Sequence, residues 1–290
     1  MHLLIDRVLL RNQHTILVVS IGFRRRSIPL VWQALPHRGA SGLADQHALL
    51  AAAVALLPPR VRITVHGESE FRSRTLFRWL RAQGYDGMLG VRGDVRIAGD
   101  HLGAASGRPR SAFVPLLPGQ AAPGRRRRHR TSPGCSLHDV VGEDDQVGPV
   151  NLLAWWERDD DGQVILHAVM TNLPATAQTR AYGTRRMWIE TVFRDWQRGG
   201  LHLDRCGLPD TTRVARLLIV LAIAYLWLVS LGRWVVKRGY RRLIDNGTSH
   251  QWHVRLFQIG VGWKERLARY TQAVPVLFFL YRWGLRGDIL

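Results

Sequence analysis

The first 35 residues alternate between apolar and polar side chains in three segments. Residues 2–10 have the two-residue period of a β-strand, and the acidic Asp6 stands among their apolar side chains. Residues 14–23 and 27–35 follow with β-branched and aromatic residues. The period and the short connections between the segments predict three strands in an antiparallel meander.

Beyond this meander the pattern switches between helix and strand. Residues 44–57 are rich in alanine and leucine and predict a helix, and residues 58–67 predict a β-branched strand. Residues 73–84 predict a second helix that ends at a glycine, and residues 87–93 are expected to close the sheet as its fifth strand. The order βββαβαβ is that of an RNase H-like domain, an α/β fold with a mixed sheet flanked by helices, although order alone is only an association.

The middle of the chain has a different composition. Residues 100–135 are dominated by Gly, Pro, Ser and Arg, and they contain the run GRRRRHR at 124–130. A run of like charge is typical of a solvated, disordered loop, and a loop that grips phosphate is the alternative. Residues 147–173 then predict a β-hairpin around the Asp-Asp-Asp-Gly turn at 159–162.

From about residue 180 the pattern is mainly helical, with a break at 245–250. The 16 residues 217–232 are uncharged. A helix of that length spans roughly 24 Å, short of the roughly 30 Å hydrocarbon core of a bilayer. We therefore expect a buried central helix, with a membrane span as the rival interpretation. The expected division is 1–93 (first part of the core), 94–180 (a β-rich insertion with the basic loop) and 181–290 (a helical part).

The charge balance favours a polyanionic partner. The 290 residues contain 41 basic and 22 acidic side chains, a formal net charge of +19, and only Lys237 and Lys264 are lysines. Such a field attracts nucleic acid or an anionic membrane surface, although arginine-rich coding alone can produce it. Cys135 and Cys206 form neither a disulfide framework nor a zinc site, which fits reduced cysteines in a cytosolic protein. The first residues do not have the pattern of a signal peptide.

Acidic residues occur at three places where a metal site would need them. Asp6 lies inside an apolar strand, where an unpaired carboxylate is costly. Glu68 and Glu70 follow directly after a predicted strand, and Glu190 lies in a predicted helix over 185–197. Each has an ordinary alternative: a strand-end acid, a helix-capping pair and a partner of neighbouring arginines.

The predicted helix over 185–197 would group three side chains on one face. At about 100° per residue, Arg186 lies about 40° and Gln197 about 20° from Glu190. Acids brought close together repel one another, and divalent cations with oxygen ligands relieve the repulsion. Two Mg²⁺ or Mn²⁺ ions held in this way support phosphodiester cleavage. From the residues alone, this is a weak indication of a metal-dependent enzyme.

A family resemblance strengthens that interpretation. The stretches LLIDRVLLRN, SIPLVWQALPHRG, HGESEF, GPVNLLAWWERD and YGTRRMWIETVFRDWQRGGLHLD resemble bacterial insertion-sequence transposases of the DDE type. They are similar to the branch with a Tyr-Arg-Glu-Lys signature, and they occur in that family's order. The resemblance implies an RNase H-like core with a β-rich insertion, two Mg²⁺ or Mn²⁺ ions and cut-and-paste transposition. It also implies double-stranded DNA as partner, a homodimer in the synaptic complex and a cytoplasmic, nucleoid-associated location with no membrane.

The resemblance assigns roles to individual residues. Asp6, Glu68 and Glu190 match the three catalytic, metal-binding acids, with Glu68 or Glu70 as the second. Arg186 matches the signature arginine that contacts DNA phosphate. Further expected DNA-contacting residues are Arg185, Tyr182, Gln197, and Trp155 and Trp156, of which one would stack on a flipped base and at least one would pack in the core.

Four departures from the family pattern leave an alternative open. Glu68 replaces an aspartate and is one methylene longer, and Gln197 replaces the signature lysine. Tyr182 precedes Glu190 by eight residues instead of seven, which on an ideal helix turns it about 100° away. The sequence also starts close to Asp6, so the family's N-terminal DNA-binding region is expected to be missing. The alternative is a truncated, catalytically degenerate remnant that only binds DNA, and a basic membrane-associated protein is the third hypothesis.

Overall fold

The computed structural model contains a large mixed sheet with helices around it. It describes residues 1–11, 13–91, 96–97, 100–101, 114–115, 135–140, 150–158, 164–174, 176–245, 254–276 and 278. The basic run at 124–130, the turn at 159–162 and most of the break at 245–250 lie outside these residues.

Among the described residues, nine strands form the main sheet, and two short strands pair separately. The sheet order is β3-β2-β1-β4-β5-β11-β10-β9-β8, with β6 paired to β7. The bounds are β1 His2–Leu10, β2 His14–Phe23, β3 Arg26–Leu35, β4 Thr64–Gly67, β5 Asp86–Val91, β6 Arg96–Ile97, β7 Asp100–His101, β8 Val114–Pro115, β9 Cys135–Val140, β10 Val150–Arg158 and β11 Val164–Thr171.

The first three strands and the order βββαβαβ are confirmed, and the predicted strand over 58–67 is shorter than expected. β4 begins only at Thr64. The preceding residues include Pro58 and Pro59, which have no N–H to donate to a strand ladder, and Arg60, which has a φ of 64°. β4 pairs in parallel with β1 on one side and with β5 on the other.

The prediction that the fifth strand closes the sheet is wrong. β11 pairs antiparallel with β5, aligning Val169 with Gly90, and β10 follows β11 in the sheet. The two strands of the predicted hairpin are therefore present, and they extend the main sheet beyond β5. β5 and β11 carry apolar residues that are buried, such as Met88 and Val169, and a strand buried on both faces needs a neighbour on each edge.

Six helices accompany the strands among the described residues. Their bounds are α1 Leu43–Ala55, α2 Arg74–Ala82, α3 Ala177–Gly183, α4 Trp188–Trp196, α5 Thr211–Lys237 and α6 Leu256–Arg269. The continuous helix expected over 185–197 is wrong at both ends, because Thr184–Met187 form a 3-10 turn and α4 ends at Trp196. Short 3-10 turns are common where helices begin.

α5 is longer than the uncharged run within it. It has 27 residues, and by length and composition alone it is the one described helix that is long and apolar enough to cross a membrane. Its C-terminal half packs closely against α6, because Gly232 lies against the backbone of Leu256 and Gly260 against that of Leu228. Its other half exposes Ile219, at 51% of its surface.

The chain divides into two compact units. The first contains Met1–Asp6, Val18–Val31 and Ala40–Ile189, and the second contains Arg7–Leu17, Trp32–Gly39 and Glu190–Leu290. The first unit includes the core around Met88, Leu153 and Trp155. The second includes the core formed by α5 and α6. Asp6 and Glu68 therefore belong to the first unit, and Glu190 begins the last segment of the second.

Candidate functional site

The first two of the three candidate acids, Asp6 and Glu68, lie on segments that pair in parallel. The pairing of β1 with β4 aligns Ile5 with Gly67, so the next residues along the chain, Asp6 within β1 and Glu68 just past the end of β4, follow an aligned pair. Neighbouring strands lie about 4.8 Å apart, and equivalent positions point to the same face of a sheet. Both residues are half-buried. The fold thus places two acidic residues that are 62 positions apart in the sequence on adjacent strand segments.

Glu68 is held by an arginine from the 3-10 turn before α4. The Nη1 group of Arg186 donates to Oε2 of Glu68 in an ion pair, and the Arg186 side chain is only 12% exposed. The Nη2 group lies 3.3 Å from Nδ1 of His167. Because a guanidinium only donates, Nδ1 must be the unprotonated acceptor in this contact. Arg186 therefore bridges the end of β4 and the hairpin strand β11.

Gly90 of β5 leaves the room that this arginine occupies. A Cβ at Gly90 would lie 3.0 Å from Nη1 of Arg186, 2.9 Å from the backbone N of Ser69 and 3.1 Å from the backbone C of Glu68. Any side chain here would press on both the arginine and the turn that carries Glu68. The other nearby acid, Glu70, lies inside the 3-10 turn Ser69–Phe71, with its Oε1 atom buried.

Trp155 is a core residue of the first unit. Only 2% of its surface is exposed, and its ring stacks on that of His167, with centroids 5.6 Å apart. A Cβ at Gly183 would lie 3.0 Å from its ring, and the Arg180 guanidinium lies 5.7 Å above it. Trp155 is thus the tryptophan that packs in the core, and the side chain of Trp156 lies outside the described residues.

Tyr182 lies outside the helix of Glu190, in α3. The rotation of about 100° expected from its eight-residue spacing therefore does not apply, because that angle assumes one continuous helix from Tyr182 to Glu190. Its hydroxyl accepts a hydrogen bond from Gln178 at 2.6 Å. Arg185 lies 4.2 Å above its ring and 5.5 Å from the ring of Trp188. Burial lowers the pKa of the Arg185 guanidinium, which indicates a cation partly removed from water by aromatic rings.

A buried histidine pair adjoins this aromatic group. Nδ1 of His2 lies 2.8 Å from Nε2 of His66, and the His2 ring meets the edge of Tyr182 at 4.9 Å. Burial, with the charge of Arg185 as a smaller cause, lowers the pKa of His2 to about 3. Burial and the neighbouring His2 lower the pKa of His66 well below its ordinary value. Both rings are therefore neutral in the folded protein at physiological pH.

This pair predicts an acid-sensitive fold. Below pH 6.5 the unfolded chain protonates both histidines while the folded chain does not, so stability is complete above pH 6.5 and falls as the pH drops toward about 3. Between pH 7.5 and 5 we expect the free energy of unfolding to decrease by about 2 kcal/mol from His2 alone, and by more than that from the pair, because His66 also stays neutral in the folded chain. Urea denaturation at the two pH values measures it. The His2→Gln/His66→Gln double variant should have a shallower pH dependence, and an equal dependence would contradict the assignment.

The third candidate acid, Glu190, belongs to the second unit, as does Gln197, which replaces the signature lysine. Glu190 is the third residue of α4 and is half-buried. Gln197 follows the end of this helix, and its Nε2 group donates to the backbone O of Leu9 at 3.3 Å. Gln197 therefore contacts the end of β1. An ideal helix over 185–197 would instead place it on the same face as Glu190. Asp195 of the same helix is fully buried.

No metal cluster of three ligands is formed within the described part of the chain. There, no group of three or more His, Cys, Asp or Glu side chains is arranged to hold a metal ion. Sequence reasoning named Asp6, Glu68 and Arg186, but it missed His167 and Gly90. His167 had one usable signal, since it lies directly opposite Trp155 in the hairpin register. Gly90 had none, because its role depends on a side chain 96 residues away.

Comparison with known proteins gives one family. The sequence matches the family described as "Transposase DDE domain" over residues 21–227, which include Glu68, Arg186 and Glu190 but not Asp6. No curated protein matches it. Among solved structures, it is similar to a piggyBac transposase in the cryo-EM structure of its synaptic complex with hairpin DNA, with a TM-score of 0.41 and 12% identity. That match covers 95% of this chain and 55% of that chain, so this chain spans about half its length. Because the family match covers most of the sequence, the chain belongs to the transposase DDE domain family, whose members act in DNA transposition.

Proposed function

We propose that this chain is the catalytic region of a cut-and-paste DNA transposase that cleaves phosphodiester bonds and joins strands with two divalent cations. The observation that carries this proposal is the strand register that brings Asp6 level with Glu68. Glu68, directly after β4 and beside Asp6 of β1, would form with it an acidic position at the carboxyl end of β4, where sites on open sheets collect. The family membership supplies the reaction class.

The three candidate acids offer the type of ligand atom that a hard divalent cation prefers. Asp6, Glu68 and Glu190 offer only carboxylate oxygens, which Mg²⁺ and Mn²⁺ prefer over nitrogen or sulfur. Bound there, two such ions would activate the attacking hydroxyl and stabilise the leaving 3′ oxygen. Glu68 is the second ligand in this proposal, because it follows β4 directly and lies level with Asp6, whereas Glu70 lies within the next turn.

Arg186 would orient the Glu68 carboxylate and contact the DNA backbone. Its guanidinium is planar and offers paired donors that match carboxylate and phosphate equally well. In the structure it holds Glu68 and His167, and a DNA phosphate would be an alternative partner of the same fork. Arg185 beside Tyr182 adds a second cation near this turn. These residues would position the scissile strand while the acids serve the reaction.

The partners follow from the same proposal. Double-stranded DNA is the substrate, and both strand transfer and synapsis need two copies of the chain on two element ends. The net charge of +19 suits a polyanion of that kind. Trp156 remains the candidate for stacking on a flipped base. A cytoplasmic, nucleoid-associated location and the absence of a membrane anchor belong to this proposal as well.

One group of observations favours a second function, a DNA-binding remnant without catalysis. Glu68 stands in place of aspartate and is already paired with Arg186. Gln197 replaces the signature lysine and is bonded to the backbone of Leu9. In a remnant these contacts would be permanent structural interactions, and the arginine-rich surface would still bind the DNA backbone.

A plasmid-nicking assay separates the two functions. The purified chain is incubated with supercoiled DNA and Mn²⁺ or Mg²⁺, and the nicked form is quantified. We expect nicking that stops with EDTA and returns with added Mn²⁺, and a Glu190→Gln preparation at background, which serves as the control for contaminating nuclease. Equal nicking by the wild type and the Glu190→Gln variant, or none by either with intact DNA binding, would leave only the remnant.

A further inference from the structure

The end of α5 carries a dense group of cations beside aromatic rings. Four basic residues occur between positions 237 and 242, with no acid among them. α5 ends at Lys237, Gly239 beyond it has a φ of 80° in the left-handed region, and a 3-10 turn over Tyr240–Leu243 follows. We call residues 237–243 the basic turn.

Aromatic packing fixes the basic turn on α6. The ring of Tyr240 stacks on that of Trp263, with centroids 5.4 Å apart and planes 1° from parallel. Trp234 flanks both rings at 6.1 Å. Ile244 packs where a Cβ on Gly262 would lie only 2.9 Å from its Cγ2 atom. The basic turn is therefore held on α6 by aromatic and apolar contacts, and its packing does not depend on its exposed cationic groups.

Only one of the four cations is neutralised by a described acid. Nη2 of Arg241 lies 3.2 Å from Oδ2 of Asp245, which is buried, and 2.9 Å from the backbone O of Val254. Lys237, Arg238 and Arg242 are exposed. Within the described residues these three make no ion pair, and the Arg238 guanidinium lies 5.7 Å above the ring of Trp234.

From this arrangement we propose that the basic turn is a binding surface for single-stranded DNA. Its three unpaired cations would contact successive phosphates, and Tyr240, which is 42% exposed, would stack on a base. A helix C-terminus favours nearby cations through its dipole, but that effect explains neither Arg242 beyond the helix nor the exposed ring. A duplex hides its base faces, and an anionic membrane has no flat rings to stack.

The inference rests on DNA as the partner in the proposed function, but the basic turn itself includes none of the proposed catalytic residues. Its test is therefore made without metal. The full chain is titrated against a fluorescently labelled single-stranded oligonucleotide in EDTA, and anisotropy is recorded at several salt concentrations. Failure of nicking would leave this result untouched, and failure of this binding would not affect nicking by the acids.

The charge test compares two triple variants, each of which replaces three basic residues by glutamine. The variant Lys237→Gln/Arg238→Gln/Arg242→Gln should bind single strands roughly tenfold more weakly and reduce the salt slope by about 2, since each phosphate contact contributes about 0.7. The matched control removes three exposed arginines of α2 (Arg74→Gln/Arg78→Gln/Arg81→Gln), which lowers the net charge equally. Equal losses in both variants would mean that only net charge matters and would overturn the proposal.

The stacking test uses Tyr240. Tyr240→Phe should bind as the wild type does, whereas Tyr240→Leu should lose roughly tenfold in affinity for single strands and little for duplex DNA. Thermal melts of both variants check that the packing on Trp263 persists. The same loss on single strands and duplex, no loss on either, or loss only of binding to anionic phospholipid vesicles would each contradict a single-stranded DNA surface.

Discussion

The Gly260→Ala variant is expected to lose about 3 kcal/mol of its free energy of unfolding, because it forces a methyl group into the backbone of a neighbouring helix. A Cβ at this position would lie 2.0 Å from the backbone O of Leu228 and 2.8 Å from its carbonyl C. Neither atom can rotate away, so α5 and α6 must separate. Gly232 makes the reciprocal contact, with a Cβ 1.8 Å from the O of Leu256.

This expectation runs against helix propensity, which makes it informative. Alanine is favoured over glycine by about 1 kcal/mol within a helix, so an exposed position would become more stable on substitution. At Gly260 the clash outweighs that gain. Thermal melting should show a decrease in Tm of roughly 6–12 °C for a chain of this size.

Gly262 provides the matched control on the same helix. A Cβ there would approach Cγ2 of Ile244 at 2.9 Å, which is the end of a side chain that can rotate. We expect Gly262→Ala to stay within about 1 kcal/mol of the wild type, since propensity and a small clash nearly cancel. If the Gly260→Ala and Gly262→Ala variants have the same Tm, the backbones of α5 and α6 are not in contact.

The elements that the sequence predicted well are those with a strong local period. β1, β2 and β3 lie within one residue of their predicted bounds, because strict alternation over ten residues leaves few alternatives. The position of the hairpin was not predictable in the same way. Its alternation gives two strands, but nothing in residues 147–173 says that Val169 will pair with Gly90, since that contact joins segments far apart.

The helix that carries Glu190 shows how a local rule fails at a helix boundary. The angle of 100° per residue would place Arg186, Glu190 and Gln197 on one face only if the helix were continuous. In the structure Arg186 lies in a 3-10 turn and Gln197 follows the last helical residue. The arginine consequently reaches Glu68 and His167, and the glutamine reaches Leu9, contacts that depend on tertiary packing.

The choice of Glu68 over Glu70 as the second acid is testable by a matched pair of substitutions. Glu68→Gln keeps the size of the side chain but removes the charge at the position level with Asp6. Loss of residues that merely support metal ligands costs about 10- to 100-fold in affinity or activity, so loss of a ligand itself should reduce nicking at least about a hundredfold. Glu70→Gln, two residues away, should remain within about threefold of the wild type, because it keeps the size of this half-buried side chain and removes no charge from the position level with Asp6.

Glu68→Asp completes the series, because it restores the residue that the family pattern has at this position. It keeps the carboxylate and shortens it by one methylene, which also weakens its reach toward Arg186. We expect nicking at or above the wild-type rate, since metal sites tolerate ligand displacements of only about 0.5 Å. The three variants are compared in the Mn²⁺ nicking assay, with duplex binding in EDTA and thermal melting as checks of folding. An inactive Glu70→Gln beside an active Glu68→Gln would move the second ligand to Glu70, and three variants with unchanged nicking would remove both acids from the site.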